Sequence, residues 1–267
     1  MSNHWLNRFI LYWPRHHTHT PWMLVKALLS GCFHTVWFGG TYRAEVDYLP
    51  QLIRLCEKFG VQTIYSRWLF PASVSSEVED AVWWKWMTAE AMSQQIQRIT
   101  NRAEELGCQY TGVDSEVYNS YASWSRSPMS DRLAYLWLQE QVAVLPGVDY
   151  AFTGYWARSD DLPTKAFHWV GDRPIIDRTY YRGPDFGSIL PVCDQYAEEI
   201  SCPWTGGQII VSNTPQKINE AVTTWTLDTL DEACEVLTDK EILMYLVRED
   251  EPEKVIDGLL AIRKESS

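Results

Sequence analysis

Apolar strand-forming runs and helix-spaced segments alternate eight times along this chain, and that rhythm restricts the fold more than any other feature. The runs at 9–13, 35–38, 61–68, 108–116, 148–156, 174–180, 208–211 and 242–247 are mostly apolar and rich in β-branched or aromatic residues. Such runs read as strands buried on both faces, the pattern of a parallel sheet covered by helices. Helical spacing or helix-terminal signals mark 21–30, 42–59, 79–106, 130–144, 163–169, 185–200, 215–237 (with a break near 226–228) and 252–264. Thr20 and Pro21 read as a cap and a first helical position. Gly60 and Gly107 stop two of the helices, and Gly206-Gly207 leads into the seventh strand. Eight strand–helix units within 267 residues match one domain, 1–267, folded as an α/β, single (β/α)8 TIM barrel. An open doubly wound sheet would carry a glycine-rich phosphate loop after its first strand. Here that strand runs into Pro14-Arg15-His16-His17-Thr18-His19, with no glycine.

At 46% hydrophobic residues, the chain can bury a substantial core. The formal net charge of -12 would repel nucleic acid and anionic membrane surfaces, so neither is expected as a partner. No apolar run reaches the ~18 residues of a membrane span. The N-terminal Met1-Ser2-Asn3-His4-Trp5 lacks a basic region followed by an apolar one. The expected location is therefore cytoplasmic, or outside the cell after release without a signal peptide. Six scattered Cys, without a C-x-x-C pair, read as reduced core thiols.

The fourth strand carries the main chemical signal. Cys108-Gln109-Tyr110-Thr111-Gly112-Val113-Asp114-Ser115-Glu116 runs from apolar residues into two carboxylates. Alternation places Asp114 and Glu116 on one face, about 6.5 Å apart along the backbone, with Gly112 on that face as well. Two acids that close push one pKa up, which makes a general acid beside an anionic partner. In such a barrel the active site lies at the carboxyl ends of the strands. Those ends supply Tyr12 or Trp13, Trp37, Arg67 with Trp68, and then the acids with Tyr118. They continue with Tyr155, Trp156, Asp177, Arg178, Tyr180, Asn213, Tyr245 and Arg248. Acids, aromatics, Arg and Asn on one rim suit a polyol, whose ring faces stack on aromatic side chains. Phosphate would want glycine-rich backbone nests instead.

The Asp114-x-Glu116 pair resembles the acidic motif of several TIM-barrel glycoside hydrolases. In family 18 chitinases the fourth strand ends in D-G-x-D-x-D-x-E. Gly112 and Asp114 match that run here, while Tyr118 stands where the family has its catalytic Glu. The shorter Asp-x-Glu of hyaluronidases and family 25 lysozymes is similar to Asp114 and Glu116. That resemblance implies a proton-donor role for Glu116 and an electrostatic-partner role for Asp114. It implies an oligosaccharide or polysaccharide substrate and no cofactor.

A two-carboxylate mechanism needs a second acid across the substrate, and Asp177 is the candidate. Without it, the substrate's own acetamido group would attack, oriented by Asp114, with Tyr155 or Tyr180 as hydrogen-bond donor. The remaining expected substrate contacts are Trp37, Arg67, Trp68, Trp156, Asn213 and Arg248. Two other readings stand beside the hydrolase. One is a barrel that binds a glycan without turning it over. The other is a metal-dependent amidohydrolase-like enzyme, suggested by His17-x-His19. Such barrels also place His after strands five and six, where this chain has Tyr155-Trp156 and Asp177-Arg178. No metal site is expected on that ground, and no G-x-S-x-G elbow occurs.

Overall fold

The computed structural model describes residues 5–14, 19–39, 45–68, 89–114, 149–153, 175–180, 204–219, 222–247 and 251–266. For Trp68, Asp114 and residues 89–92, 150–153, 175–180, 204–205, 217–219, 222–223, 236 and 264–266 the backbone alone is described. Among the described residues there are ten strands: β1 (Phe9–Pro14), β2 (Phe33–Gly39), β3 (Gln62–Trp68), β4 (Tyr110–Asp114), β5 (Tyr150–Thr153), β6 (Ile175–Tyr180), β7 (Trp204–Val211), β8 (Lys217–Asn219), β9 (Val222–Thr223) and β10 (Glu241–Leu246). Eight of them close into a barrel in the order β1-β10-β7-β6-β5-β4-β3-β2. All eight pairings are parallel. The described α-helices are α1 (Pro21–Ser30), α2 (Leu49–Lys58), α3 (Ala89–Leu106), α4 (Leu230–Val236) and α5 (Pro252–Ser266). The helices expected at 130–144, 163–169 and 185–200 lie outside the described residues.

Strand alternation divides the barrel residues into two sets. Leu11, Trp13, Val36, Phe38, Tyr65, Val113, Ile209, Val211, Met244 and Leu246 join one large core with helix residues such as Leu24, Leu52, Ile99 and Leu259. Ile10, Trp37, Ile64 and Leu243 form a separate cluster, with Tyr12 and Tyr110 against it, inside the lumen. Both faces of the central strands are thus apolar, as parallel sheets require. Gly112 belongs to the inner set. A Cβ there would lie 2.9 Å from Ile64 Cγ2, 2.9 Å from Trp37 Cζ2 and 3.1 Å from Ser66 Cβ. Gly112→Ala is therefore expected to overpack the lumen and cost about 1–3 kcal/mol of stability. A urea midpoint unchanged from wild type would show that the lumen can yield there.

Local signals account for several boundaries. Met23 N–H donates to Thr20 Oγ1 at 3.3 Å, and Pro21 fills the first turn of α1. Gly60 and Gly107, at φ 69° and 77°, follow α2 and α3 in the left-handed region that ends helices. The expected helix 42–59 is shorter: α2 begins at Leu49 because Pro50 has no amide proton and fits only the first turn. Gly206 and Gly207 lie inside β7 rather than before it. A Cβ on Gly206 would come within 2.7 Å of the Glu241 carbonyl oxygen, so the residue lets β7 and β10 approach.

The expected helix 215–237 is the largest correction. The chain there forms the antiparallel pair β8–β9, a 3-10 turn at Leu227–Thr229, and only then α4. Val222-Thr223-Thr224-Trp225-Thr226 is mostly β-branched and favours extended backbone. Trp225 N–H donates to Ile210 O at 2.8 Å, and Ser212 N–H donates to Trp225 O at 2.9 Å, so the segment returns alongside the end of β7.

Candidate functional site

The barrel mouth is built from inner-set residues near the strand carboxyl ends. Tyr12 on β1 and Tyr245 on β10 are half-buried there, their rings 5.5 Å apart and tilted by 44°. Gly39 at the end of β2 makes room for Tyr12, since a Cβ would meet that ring at 2.3 Å. Tyr245 also packs on Ile210 and Val247. Aromatic, apolar walls with a few hydroxyls suit the apolar face of a sugar ring. One layer down, Trp37 fills the lumen. It is 0% exposed, and its Nε1–H donates to Ser66 Oγ at 2.5 Å.

Asp114 is the last residue of β4, in register with Trp68 on β3 and Phe152 on β5. Asp177 falls on a different rung. Phe152 pairs with Ile176, whereas Asp177 pairs with Thr153 and with Gly207. The ladder shifts register between Asp177 and Tyr180, so that Tyr180 pairs with Gln208.

The expected site residues divide accordingly. Asp114, Trp68, Asp177 and Tyr180 have backbone positions in the upper part of the barrel wall. Glu116, Tyr155, Trp156 and Arg248 lie outside the described residues. Asn213 is exposed, two residues beyond β7. Arg67 alternates with Ser66 and shares the parity of Tyr65, whose ring belongs to the helix-covered core. It is half-buried on that outer parity, which corrects its expected place among the inward contacts. Trp37 is also corrected: a ring with no exposed surface is a wall of the lumen, not an open stacking platform. Alternation gave the right face but not the depth. Ser66 escaped notice because a lone serine in an apolar strand carries no motif; its even spacing from Ile64 was the available signal.

His19 of the histidine-rich loop packs edge-on against Trp13, with ring centroids 4.9 Å apart. Trp13 belongs to the helix-covered core rather than to the lumen. Among the described residues no group of three His, Cys, Asp or Glu is placed to hold a metal ion. Cys32, Cys56, Cys108 and Cys234 are free thiols. Burial pushes Cys56 and Cys108 up to about 12 and Cys234 up to about 11, which keeps them protonated.

At the opposite, amino-terminal end, Glu241 opens β10. Its Oε2 is buried with no hydrogen-bond partner among the described residues. Burial raises its pKa, and the charge of Arg8 partly opposes the rise. A carboxyl whose pKa is higher folded than unfolded supports the fold below the unfolded value of about 4.3. That support is lost as pH climbs through the folded value. Glu241→Gln should therefore gain melting temperature relative to wild type as pH rises from about 4 to 7. Parallel melting-temperature curves for the two proteins would refute this.

No protein-family model matches the chain, and no curated protein matches it. Solved structures do. A chitinase from Chromobacterium violaceum ATCC 12472 superposes with a TM-score of 0.57 at 12% identity, covering 95% of this chain and 99% of that one. A chitinase from Bacteroides thetaiotaomicron gives 0.56 at 9% identity, covering 96% of each chain. The chain has the barrel fold of these enzymes. An endo-beta-N-acetylglucosaminidase from Cordyceps militaris gives 0.51 at 11% identity over 96% of this chain and 90% of that one. The same enzyme, as an Asp→Asn and Glu→Gln double mutant in complex with fucosyl-N-acetylglucosamine-Asn, gives 0.50 at 11% identity, covering 90% and 81%. The two substituted acids are two positions apart in that chain.

Proposed function

We propose that this barrel is a glycoside hydrolase acting on N-acetylated glycans by general acid/base catalysis at the mouth. The observation that carries this reading is the place of Asp114. It is the last residue of β4, two residues beyond Gly112, which abuts Trp37 and Ile64 in the lumen. Alternation from Gly112 favours the same face for positions 114 and 116. The fold is shared with two chitinases and an endo-beta-N-acetylglucosaminidase. In the last of these an aspartate and a glutamate at the same spacing were the residues replaced in a glycan complex.

Glu116 donates a proton to the glycosidic oxygen and later takes one from the attacking water. The anionic Asp114 beside it raises the pKa of Glu116, so that the proton is held until the bond breaks. The register of Asp177 favours the substrate-assisted route over a second carboxylate. It sits one rung away from the strand positions that continue the Asp114 level through Phe152 and Ile176. In that route the acetamido oxygen attacks the anomeric carbon and Asp114 orients the amide. Tyr12 and Tyr245 bear on the sugar ring. Tyr180, Trp68, Trp156 and Asn213 remain proposed contacts around them.

A panel of chromogenic glycosides with and without the 2-acetamido group tests the proposal. Turnover confined to acetamido sugars supports it. Binding without turnover, lost in Trp156→Ala, would mark the barrel as a glycan binder instead.

A further inference from the structure

Two buried oxygens without a hydrogen-bond partner among the described residues, Gln208 Oε1 and Glu241 Oε2, belong to neighbouring strands. Glu241 on β10 pairs in register with Gly206 on β7, and Leu243 pairs with Gln208. Alternation puts all four on one face. Leu243 lies in the lumen cluster, and a Cβ on Gly206 would lie 3.1 Å from Glu241 Cβ. Glu241 and Gln208 are therefore diagonal neighbours inside the barrel. Gly206 carries no side chain, so Gln208 is the first that β7 offers beside Glu241 toward the mouth. One rung further, Ile210 and Tyr245 stand in register below the opening.

Gln208 is 2% exposed, so bulk water does not serve its amide oxygen. An ionised carboxylate only accepts, whereas a protonated one carries an O–H to give. Buried donors and acceptors ordinarily find partners, and these two groups complement each other once the carboxyl is neutral. We propose that Glu241 and Gln208 form a pH-sensitive latch across the β7–β10 seam: protonated Glu241 donates its O–H to Gln208 Oε1, and ionisation releases the bond. The latch rests on the geometry of the barrel wall and is independent of the hydrolase reading. Burial already raises the Glu241 pKa against the opposing charge of Arg8. A hydrogen bond made only by the neutral form raises it further. The stabilisation is therefore complete below the unfolded value of about 4.3 and is lost as pH climbs through the folded value. Among the described residues, the charged and titratable groups nearby are Arg8, Lys240 and His34. Arg8 precedes β1, the other neighbour of β10, and its guanidinium donates to Lys240 O at 2.8 Å, Thr238 O at 3.3 Å and Leu237 O. Lys240 directly precedes Glu241. Burial and then the charge of Arg8 push the His34 pKa down.

Side-chain NMR reads both partners. The Glu241 carboxyl carbon is titrated in glutamate-labelled protein, with Glu241→Gln for assignment, and the Gln208 side-chain amide is followed over the same range. The Gln208 amide should shift with the midpoint of Glu241 and should stay constant with pH in Glu241→Gln. Gln208→Met, close in volume, should lower the Glu241 midpoint by about one pH unit. It should also lower the melting temperature by about 2–4 °C near pH ~4, and by nothing near pH ~7. A Gln208 amide that ignores the Glu241 titration in the wild type overturns the latch, and that reading needs no substitution at Gln208. A melting-temperature difference for Gln208→Met that is the same at both pH values also overturns it, since packing alone would account for that. A Glu241 midpoint that rises in Gln208→Met would overturn it too, because Gln208 would then have been donating its N–H to the carboxylate.

Discussion

Replacing Glu116 with Gln is expected to lower kcat by on the order of 10²-fold or more while leaving glycan affinity nearly intact. The amide keeps the size and most of the hydrogen bonding of the acid but has no proton to give. The loss should therefore fall on the chemical step, and most heavily for substrates with poor leaving groups. A chromogenic substrate whose phenolate leaves unaided should lose less, and that contrast locates the defect in proton donation. Single-turnover kinetics with both substrate types would check it. Unchanged turnover would move the proton-donor role elsewhere, first to Asp177. Equal losses of binding and rate would indicate a contact residue rather than an acid.

The second large effect is expected in the choice of substrate. An intramolecular nucleophile reaches effective molarities of ~10⁵ M or more. Removing the 2-acetamido group should then cost on the order of 10³-fold or more in kcat/KM. Asp177→Asn, by contrast, should leave turnover near wild type, because its rung differs from that of Asp114. A two-carboxylate mechanism predicts the reverse on both counts. It would require carboxyl groups about 5–5.5 Å apart for retention or about 6.5–9.5 Å apart for inversion. Comparing kcat/KM for matched acetamido and hydroxy substrates in the wild type and Asp177→Asn separates the two mechanisms.

What the sequence made legible was mostly local. The start of α1 could be read because Thr20 and Pro21 act within one turn of themselves. The eight barrel strands could be read because both faces of a parallel strand are apolar, which leaves long uninterrupted runs. Segment 215–237 misled because apolar spacing alone does not separate a helix from extended residues that pack on a strand end. Val222 to Thr226 needed its β-branched content weighed against its spacing. At the site, period-two spacing identified Asp114 and its glycine neighbour. It could not give depth, which depends on how far each strand projects beyond its neighbours, so Trp37 was assigned to the surface of the mouth. Nor could it give the rung of Asp177. That rung follows from the register of β4, β5 and β6, in which Asp114 pairs with Phe152 and Phe152 with Ile176, a match set by pairing across the barrel rather than by any strand alone.

The seam that closes the barrel joins the first strand to the last, with Ile10 opposite Leu243. It is braced outside by Lys26 on α1, which reaches Glu253 at 2.8 Å and Asp257 at 2.7 Å on α5. Arg263 adds a hydrogen bond to Leu29 O at 3.0 Å. A ribosome would therefore have to reach residues 241–246 before β1 could meet its second neighbour. Until residues 241–246 emerge, the free edges of β1 and β7 are open templates for pairing with other chains. Contacts between such distant segments also slow the search for the native pairing. A chain cut short before β10 should accumulate as aggregate rather than as a smaller soluble barrel.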